Sequence, residues 1–263
     1  MPFSAKLLTI SPWLVFLLIN AFFVVISLLL LFLVRVGFNY QMRQRHNDVA
    51  SSIFNRAGAI YGIMLAFVVI VLWQQYNMAK DNASKEVTEA IELYRDLSLY
   101  PDQKQVKKAA ISLLDFVKVV IEDEYPAMAR LEMSRKTDQA LDRLWADIQR
   151  IKPENRHEVI LYGKILRDCE SLSKLRSERL LEMESNLPGI VWGALIVGAF
   201  VTILYAILLG AEKLWLHATL TAMFAIIIAT TFFLIIELNY PFVGEVSAKP
   251  SNYIKMMETI GKR

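Results

Sequence analysis

Four apolar runs, each long enough to cross a bilayer, constrain this chain more than any other feature of its sequence. They cover about 12–36, 57–76, 187–210 and 216–238. The hydrocarbon core of a bilayer is about 30 Å thick, so a spanning helix needs about 20 mostly apolar residues. We therefore predict an all-α membrane protein with four transmembrane helices, forming a first hairpin within 1–76 and a second hairpin within 187–238.

The segment between the second and third runs, 77–186, has the composition of a soluble domain. It carries a net charge of −2, against +5 for the rest of the chain. Its apolar residues recur at helical spacing, and prolines separate four such stretches. We predict an extramembrane four-helix bundle inserted between the two hairpins, with its first helix continuing the second run and its last helix leading to the third. A C-terminal tail follows over 239–263.

No pattern in the sequence is typical of an enzyme, a metal centre or a nucleic-acid site. The three histidines lie far apart, and no Walker loop, Cys-x-x-Cys pair or nucleophile elbow is present. The acidic run 122–124 is a poor chelator, because consecutive helical residues point in different directions. A basic stripe on a soluble face is also missing. We predict no catalytic residue, no bound metal, no cofactor and no nucleic-acid partner.

Small residues recur every four positions on two of the apolar runs. Gly58, Gly62 and Ala66 form one such series, and Gly189 and Gly193 form another. Small side chains allow transmembrane helices to approach closely, so we predict that both series are helix-packing faces.

Ionisable residues are absent from the middle of the four runs and appear only near their ends, as with Arg56 and Glu237. Proton-coupled transport needs a buried relay of ionisable groups, so this distribution argues against it. It is compatible with passive conduction through an apolar constriction.

The basic residues give two answers for the side of the membrane on which the domain lies. Arg43 and Arg45 lie in the loop between the first two runs, which by the positive-inside rule is then cytoplasmic, with the domain outside. Lys249 and Lys255 in the tail favour the opposite orientation. The side of the helical domain is left open.

Three places in the chain share a pattern with one known family. The pattern comprises the second run with Tyr61, Gly62, Phe67 and Trp73, the sequence Glu124-Tyr125-Pro126, and the exit of the fourth run, Asn239-Tyr240-Pro241-Phe242 with Gly244. The chain resembles, from about Ala50 to Tyr253, the bestrophin-like family of small bacterial four-span membrane proteins. The family pattern has Asp at 239 and Trp at 125, so no role that requires a carboxylate is expected of Asn239.

The resemblance implies a fold and a function. Bestrophins are pentameric anion channels whose pores are lined by apolar residues of the second span. By that likeness we expect a homo-oligomer, a pentamer by analogy, in the bacterial inner membrane, passing small inorganic ions such as chloride. Ile63, Phe67 and Ile70 (or Val71) become pore candidates, and Arg56 a basic ring at one mouth.

Two alternatives remain at this stage. The pore candidates can instead pack against other spans or face lipid. The protein can also be a non-conducting sensor or scaffold whose helical domain binds a ligand or partner.

Overall fold

The computed structural model describes residues 5, 7–8, 10–37, 47–184, 186–209 and 213–260, with side chains described from Phe54 onward in the helix that begins at Asn47. Arg43 and Arg45, on which the orientation argument depends, lie outside these residues.

Nine α-helices make up the described chain. They are α1 (Pro12–Gly37), α2 (Asn47–Leu99), α3 (Gln103–Val119), α4 (Tyr125–Met128), α5 (Arg135–Gln149), α6 (Arg156–Glu184), α7 (Gly189–Leu208), α8 (Leu214–Leu238) and α9 (Ser251–Ile260). The described residues contain no β-strand. Four stretches are long and apolar enough to cross a membrane: α1, part of α2, the segment 156–208 that contains α7, and α8. The predicted all-α class with four transmembrane helices is confirmed.

The chain divides into two compact units. The membrane unit comprises Pro2–Gln74 and Asn186–Asn239, and the helical domain comprises Gln75–Ser185 and Tyr240–Arg263. The helix α2 contributes its first part to the membrane unit and its last part to the helical domain. The segment predicted as a separate tail belongs to the same unit as the inserted helices.

Within the membrane unit, α1 packs along α8, and aromatic side chains interlock between the two helices. The rings of Phe16 and Phe233 meet edge to face at 5.3 Å, and those of Phe23 and Phe232 lie 5.3 Å apart. The start of α7 is fixed by a side chain from the end of α8, because the Asn239 amide oxygen accepts a hydrogen bond from the Leu187 N–H at 2.8 Å.

Within the helical domain, amphipathic helices enclose one apolar core. Two of these helices begin with an N-cap residue. The Asp102 side chain accepts a hydrogen bond from the Lys104 N–H, and the Ser134 side chain accepts one from the Thr137 N–H. The C-terminal segment completes the core, since Phe242, Tyr253 and Met256 are buried in it. Helix α3 passes into α4 through a π-helical turn, Val120–Glu124, that spacing alone does not predict.

Candidate functional site

The pore candidates all lie on one exposed face of α2. Ile63, Phe67 and Ile70 are 71%, 67% and 54% exposed in the isolated chain, and Arg56 is exposed two turns before Ile63. Ile60, which the sequence analysis did not select, is 70% exposed and lies on the same face. Ile60 could have been selected from the sequence, because it precedes Ile63 by three residues and Phe67 by seven, which places it on the same helix face.

The opposite face of α2 packs against its own subunit. Tyr61, Leu65 and Leu72 are buried, and the Tyr61 hydroxyl donates to the Leu195 carbonyl of α7 at 2.8 Å. At about 100° per residue, this buried face lies about 150° around the helix from the face that carries Arg56 and Phe67. The packing of the subunit therefore decides which side of α2 is left uncovered.

The small residues predicted to pack helices lie on a third side of α2. Gly58, Gly62 and Ala66 occupy the flank between the buried and the exposed faces. A side chain added at Gly58 or Gly62 would meet no described atom within 4 Å, and the same holds for Gly189 and Gly193 on α7. Within one described chain, none of these glycines lies at a helix crossing.

A different glycine makes the close contact inside the membrane unit. Gly198 of α7 lies directly against the ring of Tyr61, where a Cβ atom would overlap ring carbons. The ring cannot move away freely, because its hydroxyl is bonded to Leu195. The contact between α2 and α7 at Gly198 therefore leaves no room for a side chain.

The motif residue Glu124 lies in the helical domain, in an ion-pair network whose central groups, Glu86, Glu124 and Arg179, are fully buried. Its carboxylate accepts from Arg176 Nε at 2.9 Å and from Arg179 Nη2 at 3.0 Å. Arg179 also bonds both oxygens of Glu86 on α2, at 2.5 and 2.9 Å. Arg176 reaches a third carboxylate, Asp138 of α5, at 2.7 Å.

Within this network the Arg179 side chain has no access to water. Burial alone would lower the pKa of Arg179, but the carboxylates of Glu86 and Glu124 outweigh that effect and hold its pKa well above the ordinary value. The guanidinium lies 5.0 Å from the centre of the Tyr125 ring, a cation–π contact. Burial, together with Glu86, raises the pKa of Tyr253 well above its ordinary value. The two arginines were missed from the sequence, although Arg176 and Arg179 share a helix face with the buried Leu172.

The remaining motif residues shape the turns of the helical domain. Pro126 lies at the start of α4, directly after the π-helical turn that joins α3 to α4. The Pro241 carbonyl accepts from the Ala248 N–H at 2.8 Å, closing a loop in which Gly244 has a φ of 87°. That left-handed conformation favours glycine. The Phe242 ring meets the Tyr125 ring at 6.4 Å, so this loop is joined to the buried network.

No group of three His, Cys, Asp or Glu side chains in the described part of the chain is arranged to hold a metal ion.

Solved structures share this fold. The chain aligns with a crystal structure of a bacterial Bestrophin homolog from Klebsiella pneumoniae, a single-substitution variant, with a TM-score of 0.68 and 13% identity, covering 92% of this chain and 99% of that one. A second structure of the Klebsiella pneumoniae homolog, phased with zinc, gives a TM-score of 0.65 and 12% identity over 92% of this chain and 98% of that one. At such identities the likeness concerns the fold.

The family follows from the sequence comparison. The model of the Bestrophin-like domain matches residues 21–253. The chain therefore belongs to the Bestrophin-like family, which confirms the predicted resemblance; the family and fold include ion channels. No curated protein matches the chain.

Proposed function

We propose that the protein is a homo-oligomeric ion channel, passive and anion-conducting, whose pore is lined by the exposed face of α2 around Ile63, Phe67 and Ile70. The observation that carries the proposal is the uncovered apolar face on a helix whose opposite face is buried in its own subunit. A side chain buried within one subunit cannot line a pore shared by several, and these side chains are exposed.

The three sides of α2 suit a helix that lines a shared axis. One side packs on its own subunit through Tyr61 and Leu65, one carries the apolar pore candidates, and the flank between them carries Gly58, Gly62 and Ala66. In a ring of subunits that flank is the side that meets the neighbour, and small residues allow the backbones to approach. The packing role proposed for these glycines is therefore between copies of the chain.

The charges along α2 favour anions over cations. Arg56 lies about 10 Å along the helix axis from Ile63, at about 1.5 Å per residue. Between Asp48 and Asp81 the sequence contains no acidic residue. A ring of arginines followed by an apolar constriction raises the local concentration of anions and places no negative charge in their path.

The test is ion flux through purified, oligomeric protein reconstituted in liposomes. We expect chloride flux in the wild type and, for Arg56→Glu, a shift of the reversal potential toward cation selectivity. Arg35→Glu is the matched control, because it makes the same charge change at the end of α1, a helix that carries none of the pore candidates, and its selectivity should match that of the wild type. Correctly assembled protein without flux would refute the proposal.

One feature favours the alternative, a non-conducting sensor or scaffold. The helical domain has a half-open cavity of about 650 Å³ between α2 and α9, lined by Ile91, Tyr94 and Met256 with Arg95 and Lys255. That volume is in the range of small-molecule sites. The oligomeric state separates the two functions, because a ring with a central axis is needed for the pore, whereas a monomer or a dimer with a dry seam would favour the sensor.

A further inference from the structure

Two buried carboxyl groups of the helical domain share a single cation. Asp96 on α2 is 4% exposed and Asp168 on α6 is 8% exposed, and the two carboxyl groups lie close enough for the charge of Asp96 to raise the pKa of Asp168. Lys164, one turn before Asp168 on α6, contacts both oxygens of Asp96 at 3.0 and 2.9 Å. Neither carboxyl group belongs to the pore face or to the Arg179 network.

The charges at this site do not balance when both aspartates are ionised. Lys164 compensates one carboxylate, which leaves a second negative charge buried without a cation of its own among the described residues. The Asp168 Oδ2 atom accepts no hydrogen bond from the described residues. A buried, uncompensated carboxylate is strongly unfavourable, and two ionised carboxylates in contact are both acceptors with no hydrogen to share. One proton removes the excess charge and supplies the missing donor.

Burial and the neighbouring acidic groups also favour the protonated form of Asp168. Burial, followed by the hydrogen bond and charge of Asp96, raises the pKa of Asp168 to about 6, against the opposing effect of Lys164. Glu89 of α2 adds to the rise, and Arg95, also of α2, acts on Lys164. The adjacent thiol of Cys169 does not compete for the proton, because burial raises its pKa to about 12 and keeps it neutral.

We propose that Asp96 and Asp168 form a proton-binding site of the helical domain, which holds one proton between α2 and α6 in mildly acidic solution and releases it toward neutral pH. Release leaves two negative charges in contact across the seam between the two helices, so the packing of α6 on α2 weakens as the pH rises. The site does not depend on conduction, and its test does not measure ion flux.

The direct test is an infrared difference spectrum of the full-length protein in detergent between about pH 7 and about pH 4.5, a range that spans the expected titration. We expect the carbonyl band of a buried, protonated carboxyl group to grow on acidification with a midpoint near pH 6, and to be lost in Asp168→Asn. Asp142→Asn is the matched control, because it removes one exposed carboxylate of α5 and should leave the band unchanged. Wild-type protein without the band, or Asp168→Asn with the band intact, overturns the proposal.

A second variant keeps the test decisive if Asp168→Asn does not fold. Lys164→Met removes the cation that opposes protonation, so the midpoint of the same band should move upward by about one pH unit or more. An unchanged midpoint in Lys164→Met would show that the pair does not bind the proton.

Discussion

Replacement of Arg179 is the sharpest test of whether the buried ion pairs stabilise the helical domain. Arg179 is fully buried and is the only described cation in contact with Glu86, whereas Glu124 is also held by Arg176. Removing one partner of a buried ion pair costs about 3–5 kcal/mol, since it leaves an uncompensated charge in a low-dielectric interior. The free energy of unfolding of a domain is about 5–15 kcal/mol, so this cost is a large fraction of it. In Arg179→Met the helical domain should therefore open far more often.

The single cysteine of the chain provides the assay. Cys169 is fully buried in the core of the helical domain, so a thiol reagent reaches it only when the domain opens. A loss of about 3–5 kcal/mol corresponds to an increase of about a hundredfold or more in the opened population, at about 1.4 kcal/mol per factor of ten. We expect the labelling rate of Cys169 in full-length, detergent-solubilised Arg179→Met to rise by that factor.

A matched substitution separates the buried pair from a surface pair. Arg143 bonds Asp115 at 2.8 Å, but the two side chains are 57% and 49% exposed. Exposed pairs contribute about 0–1 kcal/mol, so Arg143→Met should change the labelling rate by less than about fivefold. Equal rates in Arg143→Met and Arg179→Met would contradict the argument from burial.

A double variant tests the cause of the loss. In Arg179→Met with Glu86→Gln, the carboxylate that loses its partner is neutral, while Glu124 remains paired with Arg176. We expect most of the excess labelling of the single variant to disappear. If the double variant labels as fast as Arg179→Met, the loss comes from packing and not from the uncompensated charge.

The membrane unit offers two further tests, both measured as the apparent Tm in detergent. Gly198→Ala should lower the Tm, at a cost of about 1–3 kcal/mol, because the added Cβ overlaps the anchored ring of Tyr61. Gly193→Ala, in open space on the same helix, should leave the subunit as stable as the wild type or slightly more so; equal losses in the two variants would refute the contact. Asn239→Leu should cost about 1–3 kcal/mol by leaving the Leu187 N–H without its acceptor, whereas Asn239→Asp keeps an acceptor and should be the milder change. The reverse order for the two Asn239 variants would show that the amide oxygen does not position α7.

The resemblance to the family implies Asp at 239, and the structure shows what Asn provides at this position. The Asn239 oxygen serves as a hydrogen-bond acceptor for the start of α7, a task for which an amide and a carboxylate are equally equipped. The Tyr125 ring is the one that the Arg179 guanidinium contacts.

The four spans and the all-helical class could be read from the sequence, because they depend on local properties. A run of about 20 apolar residues must be helical in lipid, where each backbone polar group needs an internal partner. The helical state of α2 after Tyr76 is also a local property, since helical spacing persists through Val87 and Ile91. The π-helical turn at Val120–Glu124 was not predicted, although Pro126, which cannot donate a hydrogen bond to the carbonyl four residues before it, lies close after the turn.

The partners of the motif residues depend on contacts between distant parts of the chain. Glu86 and Arg179 are separated by 93 positions, and Tyr76 bonds the carbonyl of Val246 across 170. Glu124 was selected only because it belongs to the motif that resembles the family. The structure shows why a carboxylate is present there, since Glu124 pairs with Arg176 and Arg179. Likewise the C-terminal segment looked like a tail, although Tyr253 and Met256 complete the core.

The sequence by itself determined how many helices are apolar enough to span the membrane, where they lie and which family the chain belongs to, since length, hydropathy and short motifs are properties of neighbouring residues. The tertiary structure alone decided which side of α2 stays uncovered and which buried carboxylates have a cation. Those outcomes depend on which helices meet, because a face is exposed, or a charge compensated, only relative to what packs against it.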